Sequence, residues 1–426
     1  MLDRTSAPSF GKIESINLLE PSVHHLDNGI PVFAINAGAQ EVLKVELVFE
    51  AGTATTDKML VSSVTSHLLT SGTKAHSALE IAQAVDFYGA HLETEISQDQ
   101  CSLCLYTLNK HLDKTANWLS EVYESPIFPE REVETYILKS KQEMLVNLEK
   151  VSYLGAKGFS AALFGETHPY GRSASISDYE SFQREEILKF HETMIKDRIL
   201  HIIVSGKLTD STIEILNKRF GQHSRSEILT TEIEIGNTTG ITSHIDKTDA
   251  VQNSIKIGRV LFNRAHPDFI GLQILTTVLG GYFGSRLMTN IREDKGYTYG
   301  IGAGLVSLKH SGYLSISTEV GSDVCQAAIN EIYVEIERLR KNLIPTEELE
   351  LVRNYMLGSI LKSADGPFNI ASKWKTYLKH GLGASAHYNL VKQIQTITPE
   401  RLRELAASYL QKEDLVQVTA GKALAN

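Results

Sequence analysis

The chain has 426 residues, enough for two or more domains. Hydrophobic residues make up 42% and charged residues 22%, a balance that buries a sizeable globular core. The net charge is −9 with no basic block, which argues against nucleic acid or anionic membrane as a partner, and no apolar run approaches the roughly 18 residues that span a bilayer.

The opening "MLDRTSAPSFGKIES" carries no apolar h-region, so no signal peptide is expected and the expected location is cytoplasmic. "EVLKVELVFEAG" alternates as a strand. "SSVTSHLLTSGT", Ser62 to Thr73, reads as a helix running into a Gly-Thr turn, with a single histidine on it. "LEIAQAVDFYG" is a helix, and "AHLETEISQDQCSLCLYTL" is strand on both sides of a polar centre. His91, Glu93 and Glu95 fall on one face of that strand. A metal or substrate contact and a plain solvated face both fit them, and the solvated face is the preferred reading. Cys101 and Cys104 form C-x-x-C, a metal or redox spacing. Residues three apart on a strand point to opposite faces, so the two sulfurs should diverge. With Cys325 the count is three, which does not suit a disulfide framework. "LDKTANWLSEVYE" and "EVETYILKSKQEMLVNLEK" are helices, and "LHIIVSG" is a strand. His24, His25 and His168 lack a carboxylate at readable spacing and are expected to be structural.

The chain repeats itself. "ILKFHETMIKDRILHIIVSGK" (187–207) and "LRELAASYLQKEDLVQVTAGK" (402–422) share a helix, a charged turn, an apolar strand and a Gly-Lys, at an offset of 215 (422 − 207). Thr398 and Pro399 mark the start of the second helix as N-cap and first residue. "VLKVELVFEAG" and "NSIKIGRVLFN" match at an offset of 213 when Val48 is laid on Leu261. Two homologous α+β domains in tandem are therefore expected, each a mainly antiparallel sheet packed with helices. The expected domains are 1–222 and 245–426, and the stretch 223–244, rich in Ser, Thr and Gly, is the linker or a strand entering the second domain.

"LGGYFGSRLMTNIREDKGYTYGIGAG" (279–304) fits neither G-x-G-x-x-G nor a phosphate loop. It reads as a tight turn, a helix from Ser285 to Asp294, a C-cap at Gly296 and a departing strand that carries Tyr299. Arg292 and Tyr299 are donors able to address one carbonyl oxygen. A dipole-complementing arginine and a packed tyrosine also fit, and on spacing alone that is the preferred reading.

This Gly-rich stretch, with its Ser-Arg-Leu, Arg-Glu and Gly-x-x-Tyr, resembles the second-domain signature of the pitrilysin/insulinase zinc peptidases, which include the mitochondrial processing peptidases. "SGTKAHSALEIAQAVDFYGAHLETEISQD" and "LFGETHPYGR" resemble the family in the expected order. The resemblance implies two such α+β pairs closing like a clam on a chamber. It also implies H-x-x-E-H on a helix of the first domain, where two histidines one turn apart bind zinc and the glutamate activates water. With Gly72-Thr73 as anchor, the first-His position here is Ser63, the Glu position is Ser66 and the second-His position is His67. Glu143 stands where the downstream glutamate ligand belongs, 75 residues beyond His67 (143 − 67 − 1). A catalytic zinc takes three protein ligands plus water, so no metal and no catalytic residue is expected in this chain.

By resemblance the chain is the metal-motif-lacking subunit of a two-chain peptidase. A homologous H-x-x-E-H partner would hold the zinc and unfolded peptide would be the substrate. Arg292 and Tyr299 would bind that substrate. A homodimer forming when the partner is absent remains open. So do a scaffold role, a homodimeric peptide-binding protein without peptidase activity, and an autonomous enzyme with an unusual site.

Overall fold

A computed structural model describes residues 13–236 and 238–423. Most of the opening stretch read above for a leader lies outside these residues, as does Asn237 of the expected linker. No helix among the described residues is long and apolar enough to cross a membrane.

Among the described residues eleven strands form two sheets. The first holds β1 (Ser22–His25), β2 (Pro31–Asn36), β3 (Val42–Phe49), β4 (His91–Ile96), β5 (Cys101–Leu108) and β6 (His201–Gly206), in the order β1-β2-β6-β3-β5-β4. The second holds β7 (Thr242–Asp246), β8 (Gln252–Leu261), β9 (Ile301–Ser307), β10 (Gly312–Gly321) and β11 (Val416–Gly421), in the order β7-β11-β8-β10-β9. Only β2–β6 and β7–β11 pair in parallel; the other neighbours are antiparallel. Without β1 the two orders correspond strand for strand, so the α+β tandem repeat expected from the sequence is the fold. The repeated helix-turn-strand unit is also present. Thr398 accepts the Arg401 amide at 3.2 Å and Pro399 opens the helix Pro399–Tyr409.

The register of the repeat needs one correction. Lys44 pairs with Ser205, and Ser254 pairs with Ala420, one residue before each repeat's glycine. With Gly206 on Gly421, β8 therefore follows β3 at an offset of 210 (254 − 44), not 213. Both glycines sit in the left-handed region, at φ +125° and +144°. A Cβ on either would press on the backbone oxygen of Val42 or of Gln252, at corresponding ends of β3 and β8. The misreading has a physical cause. Nearly every residue of β3 is buried, so its apolar run carries no alternation to set the phase.

One face of the first sheet packs on the helices Val61–Leu68, Leu112–Glu124 and Arg184–Phe190, around Val45, Leu47, Leu103 and Leu119. The second sheet packs in the same way on Phe269–Gly280, Cys325–Lys341 and Pro399–Tyr409. The opposite faces are covered by exchange. The helix Val151–Phe164, from the first half of the chain, lies on the second sheet, where Gly155 and Gly158 bring its backbone close to Ser254 and Ile245. The helix Pro367–Lys379, from the second half, lies on the first sheet, with Ile370, Trp374 and Tyr377 against Ile35 and Ile203. Between the halves, residues 223–241 form neither helix nor strand among those described, and β7 begins at Thr242.

The exchanged face of the first sheet also carries charge. Lys375 donates to Glu95 and to Ser102 at 2.8 Å and pairs with the buried Glu46. Lys44 lies 3.3 Å from Glu46 and 3.5 Å from Glu95. Burial pushes the Glu46 carboxyl up, but Lys375 and Lys44 outweigh it and hold it below the usual range.

Candidate functional site

The helix Val61–Leu68 starts from Leu60, which adopts a left-handed φ of +69°. Ser62 donates to the Ala51 carbonyl at 2.6 Å and ties the helix to the end of β3. Ser66, at the general-base position, is buried, and its hydroxyl has no hydrogen-bond partner among the described residues. His67 is exposed. Its Nδ1 lies 2.8 Å from the Ser63 carbonyl, and its ring tilts against Tyr136 at 5.3 Å between centroids.

Tyr136, Ser140 and Glu143 fall at i, i+4 and i+7 on the helix Glu130–Leu148 and so share a face. Burial raises the Tyr136 pKa, Ser140 moderates the rise and the Glu143 charge adds to it. Glu143 itself is exposed and pairs with Lys139 at 3.8 Å. The donor set is therefore one imidazole and one carboxylate, with serines where a second imidazole and a base would stand. Among the described residues, no group of three ligand side chains close enough to share an ion includes His67 or Glu143. These residues do not fit a catalytic zinc. Glu46, Glu95 and Cys104 do converge, but the Lys44 and Lys375 ammonium groups already neutralise that site.

C-x-x-C behaves as the strand geometry predicts. Cys101 enters the helix-side core, and Cys104 faces Glu46 and Lys44 on the other side. Burial pushes the Cys101 thiol up to about 12, so neither reading as a metal pair nor as a redox pair fits. His168 stacks on Phe164 at 5.3 Å and accepts the Tyr170 amide, a structural role. His24 lies on exposed β1 and contacts Ser22 at 3.1 Å. The His91 face is not merely solvated. Glu93 accepts the Tyr106 hydroxyl at 2.7 Å and Glu95 belongs to the Lys375 cluster. Among the described residues β4 has only β5 as a strand neighbour, so it is an edge strand of the sheet.

In the Gly-rich stretch the helix runs from Arg286, and Met288–Asp294 winds as a π-helix. Lys295 donates to Asn290 at 3.0 Å, the wider spacing, and Gly296 ends the helix at φ +66° as expected. The strand begins later than read from the sequence. Thr298 donates to the Glu319 carbonyl at 2.7 Å and accepts the Gly300 amide, so a side chain replaces ladder pairing there. Tyr299 therefore lies ahead of β9 instead of on it, and is 93% exposed. Arg292 stacks over the exposed Phe283 ring, 4.6 Å from its centroid. Among the described residues no carboxylate pairs with Arg292, so the guanidinium is free to take an external acceptor. The supporting aromatic ring was not singled out in the sequence, where a phenylalanine among glycines reads as turn packing.

Two family models match the chain in sequence order. Residues 32–165 match the model described as insulinase, peptidase family M16, and residues 181–356 match the one described as the peptidase M16 inactive domain. The chain belongs to the M16 family. Among its M16 relatives, an uncharacterized zinc protease YmxG of Bacillus subtilis is 25% identical over 81% of this chain and 84% of its own length. A protein of Helicobacter pylori named a non-peptidase homolog YmxG is 23% identical over 87% of both. The crystal structure of a peptidase M16 inactive domain from Pseudomonas fluorescens superposes with a TM-score of 0.84 at 21% identity, covering 96% of this chain and 100% of that one. A protease from H. pylori gives 0.85 at 18% identity, over 94% and 99%. At these identities the superpositions speak for the fold.

Proposed function

We propose that the chain is the noncatalytic subunit of a two-chain M16 zinc peptidase and positions unfolded peptide for a partner carrying H-x-x-E-H. The observation that carries this reading is the contrast between the two halves. Ser63 and Ser66 stand at ligand and base positions in the first, while the second offers an exposed Tyr299 and an Arg292 with no carboxylate partner among the described residues.

In the complex, zinc held by the partner would polarise the scissile carbonyl and its bound water. This chain's part is to bind and orient. The Arg292 guanidinium and the Tyr299 hydroxyl donate to a substrate carbonyl oxygen and favour the charge that develops on it. The edge strand β4 suits an extended peptide paired as an added strand. In this reading the working compartment is the cytoplasm.

The test is a complex assembled from this chain and an H-x-x-E-H family chain, assayed on an unfolded peptide. Arg292→Ala should lower turnover by about two to three orders of magnitude, the usual weight of one preorganised donor, with assembly unchanged by sedimentation. Unaltered cleavage by the Arg292→Ala complex contradicts the role. Cleavage that does not depend on adding this chain points to a scaffold.

A further inference from the structure

A cavity of about 380 Å³ opens between the start of the helix Phe269–Gly280 and the turn that joins Pro367–Lys379 to Ala384–Thr396. Its walls are mostly apolar, with Pro267, Phe269, Leu382 and Leu390 among them. Among the described residues, three lining side chains hold a polar atom with no protein partner: Tyr377, Arg264 and Gln273, whose enclosed Oε1 is an acceptor left open to the proton of a phenol or of a ligand. Tyr377 is 3% exposed and its hydroxyl makes no hydrogen bond among the described residues. The Arg264 guanidinium donates none either, its Nε is fully enclosed and no carboxylate lies within ion-pair distance. Its one favourable contact is the Phe269 ring, 5.1 Å from Cζ to centroid.

Such an arrangement is costly without a ligand. A half-buried guanidinium whose Nε is enclosed loses part of its hydration and gains no counter-charge among the described residues. The surrounding field is positive as well. Burial, then Lys379 and Arg264, drive the His380 pKa down to about 4, so the imidazole is neutral at pH 7. Asp99, the carboxylate that acts on His380, is itself engaged by Lys379 at 3.7 Å and by the Tyr170 hydroxyl.

We propose that this pocket binds a monocarboxylate carrying an apolar chain, with Arg264 and Tyr377 holding the carboxylate. A planar guanidinium fork matches two carboxylate oxygens, and a phenol adds a third donor. Among the lining side chains only Arg264 carries a fixed positive charge, so one negative charge is matched at the wall itself. The cavity is of the size that takes small ligands. Both a free short-chain acid and the C-terminal residue of a peptide present this chemistry. The pocket shares no residue with Arg292, Tyr299 or His67, so the proposal stands apart from the peptidase reading.

The test is calorimetric titration of the full chain at pH 7.5 with hexanoate, with hexanol, and with a leucine-ending peptide in free-acid and amidated forms. Saturable binding of hexanoate or of the free-acid peptide is expected, with none by hexanol or the amide. The tighter of the two acids identifies the source. Arg264→Met should weaken binding at least tenfold and Tyr377→Phe about threefold. Without ligand, Arg264→Met should melt at or near the wild-type temperature, because it removes a half-buried charge that no carboxylate among the described residues pairs. Absence of saturable binding by both acids, equal binding by hexanol, or undiminished binding by a folded Arg264→Met protein would overturn the proposal.

Discussion

At the scale of single residues, Arg292 owes its position to a neighbour. The Phe283 ring beneath it replaces the carboxylate that usually fixes an exposed guanidinium, and a contact of this kind is worth roughly 0.5–1 kcal/mol. Phe283→Ala should therefore lower turnover of the assembled complex about two- to fivefold, and Phe283→Tyr, which keeps a ring face, should be silent. A second residue sets a pH dependence. Burial lowers the His201 pKa to about 4 against an ordinary 6.5, with Glu46 opposing. The folded state thus prefers neutral His201. Its stability is complete above pH about 6.5 and falls as acid protonates the unfolded chain first, by up to about 3 kcal/mol near pH 4. His201→Phe, which keeps the edge-to-face contact with Phe33, should reduce the fall of the denaturant midpoint between pH 7 and 4, leaving the share set by His380. Arg292 and Tyr299 were singled out in the sequence because a signature spaces them. Phe283, Arg264 and Tyr377 were not, because their roles arise from what they fail to meet in three dimensions.

At the scale of elements, the exchanged helices hold the halves together. Gly155 and Gly158 are three residues apart, on the face of Val151–Phe164 that meets the second sheet. A Cβ on Gly155 would stand 2.6 Å from the Ser254 hydroxyl. In an exposed helix, replacing glycine with a better helix former stabilises. Here Gly155→Leu should instead cost about 1–3 kcal/mol by overpacking, read as a lower urea midpoint. The strands and their two-fold repetition were legible from alternation and from the Gly-Lys ends. The β8 register was not, because β3 is buried on both faces and lacks a phase. The destination of the two exchanged helices was hidden for a related reason. An apolar stripe announces that a face will be buried and leaves open which sheet covers it.

At the scale of the whole molecule, the two halves meet through charge as well as apolar packing. Lys375 comes from the second half and neutralises Glu46 and Glu95 of the first. Lys309 does the same for Glu50, at 2.7 Å. Removing one partner of a buried pair commonly costs 3–5 kcal/mol, and Lys44 remains to cover part of the loss. Lys375→Met is therefore expected to destabilise by roughly 3 kcal/mol, measured by denaturant unfolding. If Glu46→Gln is added, much of that cost should return, since the stranded charge is gone. The charged cluster was invisible in sequence because Lys375 lies 329 positions from Glu46 and 280 from Glu95. The degenerate metal motif was visible, because its spacing is local to one helix.

The central claim is that the first half cannot hold a water-activating ion. The most direct measurement is zinc content and peptide hydrolysis of the purified chain alone. Neither hydrolysis nor stoichiometric zinc whose binding depends on His67 is expected. One zinc per chain that disappears in His67→Ala, together with hydrolysis abolished by a chelator, would contradict it.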